Sequence, residues 1–281
     1  MINSKCYQLN AEIFFGTLAS EKQSKAKTVL NRISSRVLAT FPVYLNDFAN
    51  ISGKLGSEFS ALESDERLNL IGCYKNETQS SRYVKGKIFE VQPTVLKDLC
   101  PYCMLDRPRT LDHYVPKDEF PEYAMLVRNL VPCCYDCNNK KDELWRAGLI
   151  RQFIHYYNDS IFTHQFLYSS LVFDHQAPLI THYLRRPEGM LAQEFSIVEA
   201  HFSNLNLLNA YDSRINNVLS TEIETIKNFV ALEMTDAQIS RTLEIRFNGL
   251  RNSHGVNYFE TVLYQTLNNH LQQIKLLNLA P

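Results

Sequence analysis

Two Cys-x-x-Cys pairs constrain the fold of this chain more than any other feature of its sequence. Cys100 and Cys103 form the first pair, and Cys134 and Cys137 form the second. Four thiolates in two such pairs can surround one Zn²⁺ ion tetrahedrally. The competing interpretations are a redox dithiol, which needs only one pair, and four unrelated thiols. The spacing favours a structural zinc site that ties residues 100 to 137 together.

The remaining cysteines leave one ambiguity. Cys133 could replace Cys134 as a ligand, but only Cys134 keeps the two-residue spacer to Cys137. We therefore interpret Cys133 as a buried neighbour of the site, and Cys6 and Cys73 as buried structural thiols. No stretch resembles a signal peptide or a membrane span, so we expect a cytoplasmic protein with no membrane partner. In a reducing compartment the clustered cysteines favour metal binding over disulfides.

The N-terminal region, residues 1 to 95, is predicted to be mainly helical. Apolar residues recur at helical spacing over 18 to 50, where Pro42 predicts a stop or a kink, and again over about 58 to 74. The polar run from 76 to 82 is predicted to be a loop that leads towards the cysteine pairs.

Residues 96 to 152 are predicted to fold as strand, loop, strand and helix. Residues 110 to 115 and 129 to 132 suit short strands, whereas 116 to 128 is too polar and too proline-interrupted for regular structure. A helix is predicted to begin near Asn138. Its apolar residues are expected to pack inward: Leu144, Trp145, Leu149 and Ile150.

Residues 153 to 281 are predicted to be mixed and then helical. Aromatic and β-branched clusters at 166 to 173 and 179 to 184 predict strands. Two capping-box spacings, or close variants of them, precede helical patterns at 237 to 250 and 259 to 277. These spacings join Thr235 to Gln238 and Asn257 to Glu260. We expect a helical bundle or a docking surface for a partner.

The segment around the cysteine pairs resembles the HNH nuclease family. The family pattern is Asp-His, then Asn, then Cys-x-x-Cys followed by His or Asn and by Lys. Here it reads Asp112-His113, Asn129, Asn138 and Lys141, within the cysteine frame. The resemblance is weak elsewhere, and the chain departs at Asn138, where the name-giving family has His. It implies an α+β, mainly α protein in which a ββα-metal HNH block with structural zinc is flanked by helical regions.

The resemblance gives each of these residues a role. Asp112 and Asn138 would bind a catalytic metal ion, and His113 would act as general base from the opposite face of the strand. Asn129 would hold the loop and the imidazole in place. The expected nucleic-acid contacts are Lys141 and, more weakly, Lys140.

The donor atoms favour particular metal ions. A carboxylate and an amide oxygen suit Mg²⁺ or Mn²⁺ for catalysis, whereas His at the last position would favour softer ions. The four thiolates suit Zn²⁺ for structure. A neutral imidazole, with its ordinary pKa of ~6.5, can accept a proton from water at cellular pH. The aromatic run around His155 is interpreted as packing against the block, with support of the site as the alternative.

Charge bears on how such a protein would bind its substrate. The net charge is −1, and acidic and basic side chains are equal in number over residues 96 to 151. Because Lys and Arg supply most non-specific affinity for DNA, we expect weak binding by the chain alone. One block cuts one strand at a time, so double-strand cleavage would need a homo-oligomer, sequential nicks or a multi-subunit complex.

The chain also resembles HNH nuclease subunits that work beside an ATPase in bacterial anti-phage defence systems of the Septu and retron-linked types. This resemblance implies a DNA endonuclease that acts as the nuclease effector of a defence complex with an ATPase partner. Two alternatives stay open: a zinc-stabilised, non-catalytic module that binds nucleic acid or protein, and a stand-alone restriction or homing-type nuclease. RNA as the substrate also stays open.

Overall fold

A computed structural model describes residues 1–173 and 178–276. The chain divides into two compact units, Asn3–Asp159 and Ser160–Pro281, and the second unit includes Met1–Ile2. The fold is α+β and mainly helical. Apart from Met1 and Ile2, the predicted regions 1 to 95 and 96 to 152 fall within one unit. Among the described helices, none is both long enough and apolar enough to cross a bilayer.

The unit Asn3–Asp159 combines helices with two small antiparallel hairpins. Its helices are α1 (Ala11–Ser20), α2 (Ser24–Asn46), α3 (Asp65–Lys75), α4 (Gln79–Glu90), α5 (Thr94–Asp98) and α6 (Tyr135–Lys141). Its strands are β1 (Thr110–His113), paired with β2 (Leu130–Cys133), and β3 (Arg146–Ala147), paired with β4 (Ile150–Arg151). The strand, loop, strand and helix order predicted for the central block is therefore present in β1, β2 and α6.

The second unit packs helices around a third hairpin. Strands β5 (Leu167–Phe173) and β6 (Pro178–Leu184) pair antiparallel, as predicted. Helices α7 (Ala192–Leu205), α8 (Leu207–Ala231), α9 (Asp236–His254), α10 (Phe259–Asn269) and α11 (Leu271–Leu276) follow. The stacked rings of Tyr211 and Phe259, 5.1 Å apart, join α8 to α10. Residue 277, in the predicted last helix, lies outside the described residues.

Side-chain caps correct the predicted boundaries of the N-terminal helices. The single helix over 18 to 50 is wrong, because α1 starts where Asn10 Oδ1 accepts a hydrogen bond from the Ile13 N–H and α2 restarts at Ser24. Pro42 lies inside α2 and does not end it. The loop over 76 to 82 is also wrong in part, because Thr78 and Ser81 form a reciprocal cap that starts α4.

Three further predictions need correction. Helix α6 starts at Tyr135 and ends before Asp142, whose φ of 44° is left-handed. A hairpin follows, so only Trp145 of the four apolar residues expected inside is buried; the exposed ones are Leu144, Leu149 and Ile150. Thr235 and Gln238 form the predicted capping box. Asn257 does not cap α10, because its Oδ1 accepts from the backbone N–H groups of Phe166 and Leu167.

The segment between β1 and β2 was expected to be polar and irregular, but it is largely buried. Phe120, Tyr123 and Met125 lie inside the unit, and short 3-10 turns cover Pro121–Tyr123 and Val127–Asn129. Backbone N–H and C=O groups that are withdrawn from water need internal partners. Those partners, described below, connect this loop to β1.

Candidate metal centre and active site

The four paired cysteines meet in space. The Sγ atoms of Cys100, Cys103, Cys134 and Cys137 all lie within 4.8 Å of one another, and all four residues are buried. Zn–S bonds of about 2.3 Å place the sulfurs of a tetrahedral site about 3.8 Å apart, and the Cys103 and Cys134 sulfurs are separated by 3.9 Å. The group can therefore hold a metal ion, and its size and thiolate chemistry fit zinc. Within the described residues, Cys133 is outside this group.

Backbone N–H groups near the cysteines point at two of the four sulfur atoms, which favours the thiolate form that binds a cation. The Cys134 N–H points at Cys100 Sγ over 3.3 Å, and the Cys137 N–H points at Cys134 Sγ over 3.4 Å. Such donors stabilise a thiolate. Hydrogen bonds from the neighbouring thiols hold the pKa of Cys134 well below its ordinary value. The first turn is closed by the Met104 N–H, which donates to the Cys100 carbonyl at 2.7 Å.

Asp112 and Lys141 form an ion pair inside the protein. Lys141 Nζ lies 3.1 Å from Asp112 Oδ1, and the two side chains are 0% and 2% exposed. The Tyr102 hydroxyl donates to the other oxygen, Oδ2, at 2.7 Å, and the ammonium also donates to the His113 carbonyl at 3.0 Å. Both carboxylate oxygens are therefore engaged. The phosphate contact predicted for Lys141 would require this buried ion pair to break.

Asn138 lies near this pair but is bonded elsewhere. Its Nδ2 donates to Thr110 Oγ1 at 3.1 Å. Asn138 and Lys141 are three residues apart on α6, and Thr110 and Asp112 are two apart on β1, so each pair shares a face. The structure thus brings three predicted site residues to the interface between β1 and α6. A divalent ion at Asp112 would lie against the Lys141 ammonium, so the described geometry does not fit the predicted catalytic ion.

His113 is fixed by the loop. Its Nε2 lies 3.0 Å from the Ala124 carbonyl, and the Tyr74 ring packs edge-on at 4.3 Å. Because a carbonyl only accepts, the proton sits on Nε2 and Nδ1 is the acceptor nitrogen. Burial, followed by the positive charge of Lys117, lowers the pKa of His113 to about 3. The imidazole, 8% exposed, is therefore neutral at cellular pH, and it is a weaker base than an imidazole with the ordinary pKa of ~6.5 expected from the sequence.

Asn129 holds the loop that holds His113. Its Nδ2 donates to the carbonyls of Val115, at 2.9 Å, and Tyr123, at 3.1 Å. Its Oδ1 accepts from the Val115 N–H and the Tyr44 hydroxyl. The side chain is completely buried. Because Tyr123 precedes Ala124, this bonding holds the segment whose carbonyl the imidazole contacts, and the Asn129 side chain has no exposed surface for a substrate.

Of two further predicted residues, Lys140 lies apart from this arrangement, whereas His155 is connected to Asn129 through the Tyr44 hydroxyl, which lies 3.0 Å from Asn129 Oδ1 and 3.2 Å from His155 Nε2. Lys140 is exposed on α6 and pairs with Asp136 at 2.9 Å. His155 is fully buried, and its ring packs edge-on against Phe48 and Tyr114, both 4.4 Å away, which fits the packing interpretation. Two partners were not foreseen, the Tyr102 hydroxyl and the Ala124 carbonyl. The apolar run from Tyr123 to Val127 was the available signal that the loop is buried.

No family model matches the chain, and no solved structure matches it. It is similar to "Protein ea31" of Escherichia phage lambda, with 28% identity over 215 residues that cover 72% of each chain. The similarity spans most of both proteins, and the name of the relative states no activity.

Proposed function

We propose that this chain is an HNH-type endonuclease that hydrolyses phosphodiester bonds in DNA. The observation that supports this most is the antiparallel β1 and β2 pair followed directly by α6, with Asp112 and His113 on β1. The cysteine group joins both ends of this block. That order of elements and residues is what the resemblance to HNH nucleases implies.

His113 is the proposed general base. The neutral ring would accept a proton from water at Nδ1 while its Nε2–H stays bonded to Ala124. The resulting hydroxide would attack phosphorus, and the bond from phosphorus to the 3′ oxygen would break. That oxygen would leave and take a proton from water, which gives 5′-phosphate and 3′-hydroxyl ends.

We include a requirement for Mg²⁺ or Mn²⁺ because the resemblance to HNH nucleases implies it. When bound, such an ion would neutralise charge on the phosphate. Asp112 and Asn138 are the residues that would hold it, but Lys141 occupies the carboxylate in the described geometry.

We further propose action beside an ATPase partner in anti-phage defence. The neutral charge balance supports dependence on a partner that presents DNA.

One observation favours a second candidate function. Lys141 occupies the carboxylate of Asp112 and His113 is largely covered, so the described geometry opens neither residue to a metal ion or a substrate, which favours a zinc-stabilised module that binds without cutting. Incubation of end-labelled DNA duplex with Mg²⁺, Mn²⁺ or no added metal distinguishes the two. Cleavage with 5′-phosphate ends supports the nuclease, and binding without cleavage supports the module.

A further inference from the structure

A cleft next to the start of β1 is lined with cations that have no role in the chemistry above. It has a volume of about 550 Å³ and lies between α4, α5 and the residues that precede β1. The cations are Lys97, Arg107 and Arg109, and Phe89 and Pro108 supply apolar surface between them.

The positive charge of this cleft is poorly neutralised. The carboxylate on its wall, Glu90, is bonded to Lys87 at 2.7 Å. Arg107 lies 3.5 Å from Asp98, but both side chains are more than half exposed, so water and salt weaken this pair. Lys97 and Arg109 form no ion pair with any described residue. Acidic and basic side chains are thus equal in number over residues 96 to 151, but the fold concentrates positive charge at this cleft.

The cleft lies along the strand that bears the candidate base. Arg109 immediately precedes β1, and its N–H is bonded to the Cys133 carbonyl at 3.0 Å. At ~3.3 Å per strand residue, its Cα lies about 13 Å from that of His113. This distance corresponds to about four base-pair steps of ~3.4 Å along the axis of a DNA duplex.

We propose that this cleft binds the phosphate backbone of DNA a few nucleotides from the bond that is cut. The position of that bond rests on the proposed nuclease function, whereas binding at the cleft can be measured without cleavage. Lys141 is buried and Lys140 is paired with Asp136. The three cations of the cleft therefore replace these lysines as the main phosphate contacts.

Gly86 allows a test that preserves the fold. It lies in α4 on the cleft wall, is exposed, and a Cβ added there meets nothing within 4 Å. Any other side chain except Pro favours the helix over Gly. Gly86→Lys, Gly86→Gln and Gly86→Glu therefore change the charge of the cleft without steric conflict. Gly16 in α1 has the same open surroundings and does not line the cleft, so Gly16→Lys and Gly16→Glu are matched controls.

The measurement is fluorescence anisotropy of a labelled DNA duplex at several salt concentrations, with no divalent metal added. Affinity should fall from Gly86→Lys through Gln to Glu, by about tenfold in total, with the Gly16 variants unchanged. Lys97→Gln combined with Arg107→Gln should reduce the salt dependence of log affinity by about two. A flat Gly86 series, equal effects at Gly16, or no binding by the wild type would overturn the inference.

Cleavage assays on the same variants separate this inference from the proposed function. Charge-dependent binding without cleavage would leave the cleft in place and count against the nuclease. Cleavage with a flat Gly86 series would support the nuclease and reject the cleft.

Discussion

Removing the ammonium group of Lys141 is expected to destabilise the unit Asn3–Asp159 strongly. Lys141→Met keeps much of the side-chain volume but leaves the buried Asp112 carboxyl without its ammonium partner, with the Tyr102 hydroxyl as the remaining side-chain donor among the described residues. Removing one partner of a buried ion pair costs about 3–5 kcal/mol. At about 2–4 °C per kcal/mol for a unit of this size, the melting temperature should fall by about 6–20 °C.

Two comparison variants make the test specific. Lys140→Met removes the neighbouring, exposed lysine and should change stability by less than about 1 kcal/mol. Lys141→Met combined with Asp112→Asn leaves no unpaired charge and should recover a large part of the loss. Calorimetry of all four proteins is the assay. Two results would refute the buried pair as a stabilising contact. One is a melting temperature for Lys141→Met equal to that of Lys140→Met. The other is a melting temperature for the double variant no higher than that of Lys141→Met.

Three further predictions follow from the centre and the loop. The purified chain should contain zinc by elemental mass spectrometry, and Cys137→Ser should lose it and melt at lower temperature; a fully loaded variant would contradict the thiolate site. The pKa of His113, lowered by burial to about 3, lies below its unfolded value of ~6.5. Between pH ~6.5 and pH ~3 the imidazole is therefore protonated in the unfolded state and neutral in the folded state. The free energy of unfolding should fall by about 1.4 kcal/mol for each pH unit as the pH drops through this range. His113→Gln should show a shallower fall in urea titrations, and identical slopes would exclude this linkage. Asn129→Ala should lower the free energy of unfolding by at least about 2 kcal/mol in the same titrations, because it leaves buried backbone groups of the loop without hydrogen-bond partners. Stability equal to that of the wild type would show that water replaces the amide.

The cysteine group could be predicted from the sequence because ligand spacing is set by short-range geometry. Each Cys-x-x-Cys turn needs only its own residues to orient two thiols. The roles of Asn129 and Lys141 came instead from the resemblance to HNH nucleases, and the structure pairs Lys141 with Asp112 where a phosphate contact was expected. Strands β5 and β6 were also predictable, since alternating β-branched and aromatic residues suit a half-buried hairpin.

The surroundings of the site could not be predicted because they depend on long-range contacts. A lysine is by default exposed, and only the fold shows that Lys141 meets Asp112 across β1 and α6. Likewise, the bond from His113 to Ala124 depends on a loop whose burial is decided by the helices around it. Helix α4 was missed because polar residues form its cap, and such residues are also typical of loops.

Nicking of supercoiled plasmid tests the nuclease proposal most directly. Wild type, His113→Gln and His155→Gln would be compared with Mg²⁺ or Mn²⁺, after circular dichroism has established that all three are folded. His155 is a suitable control because it is also buried and bonded to a backbone carbonyl, that of Arg128 at 3.1 Å. Our account predicts nicked product from wild type and His155→Gln, and none from His113→Gln. Equal nicking by His113→Gln would contradict the role of His113 as the base, and no nicking by the wild type with either metal would contradict a nuclease that acts without its partner.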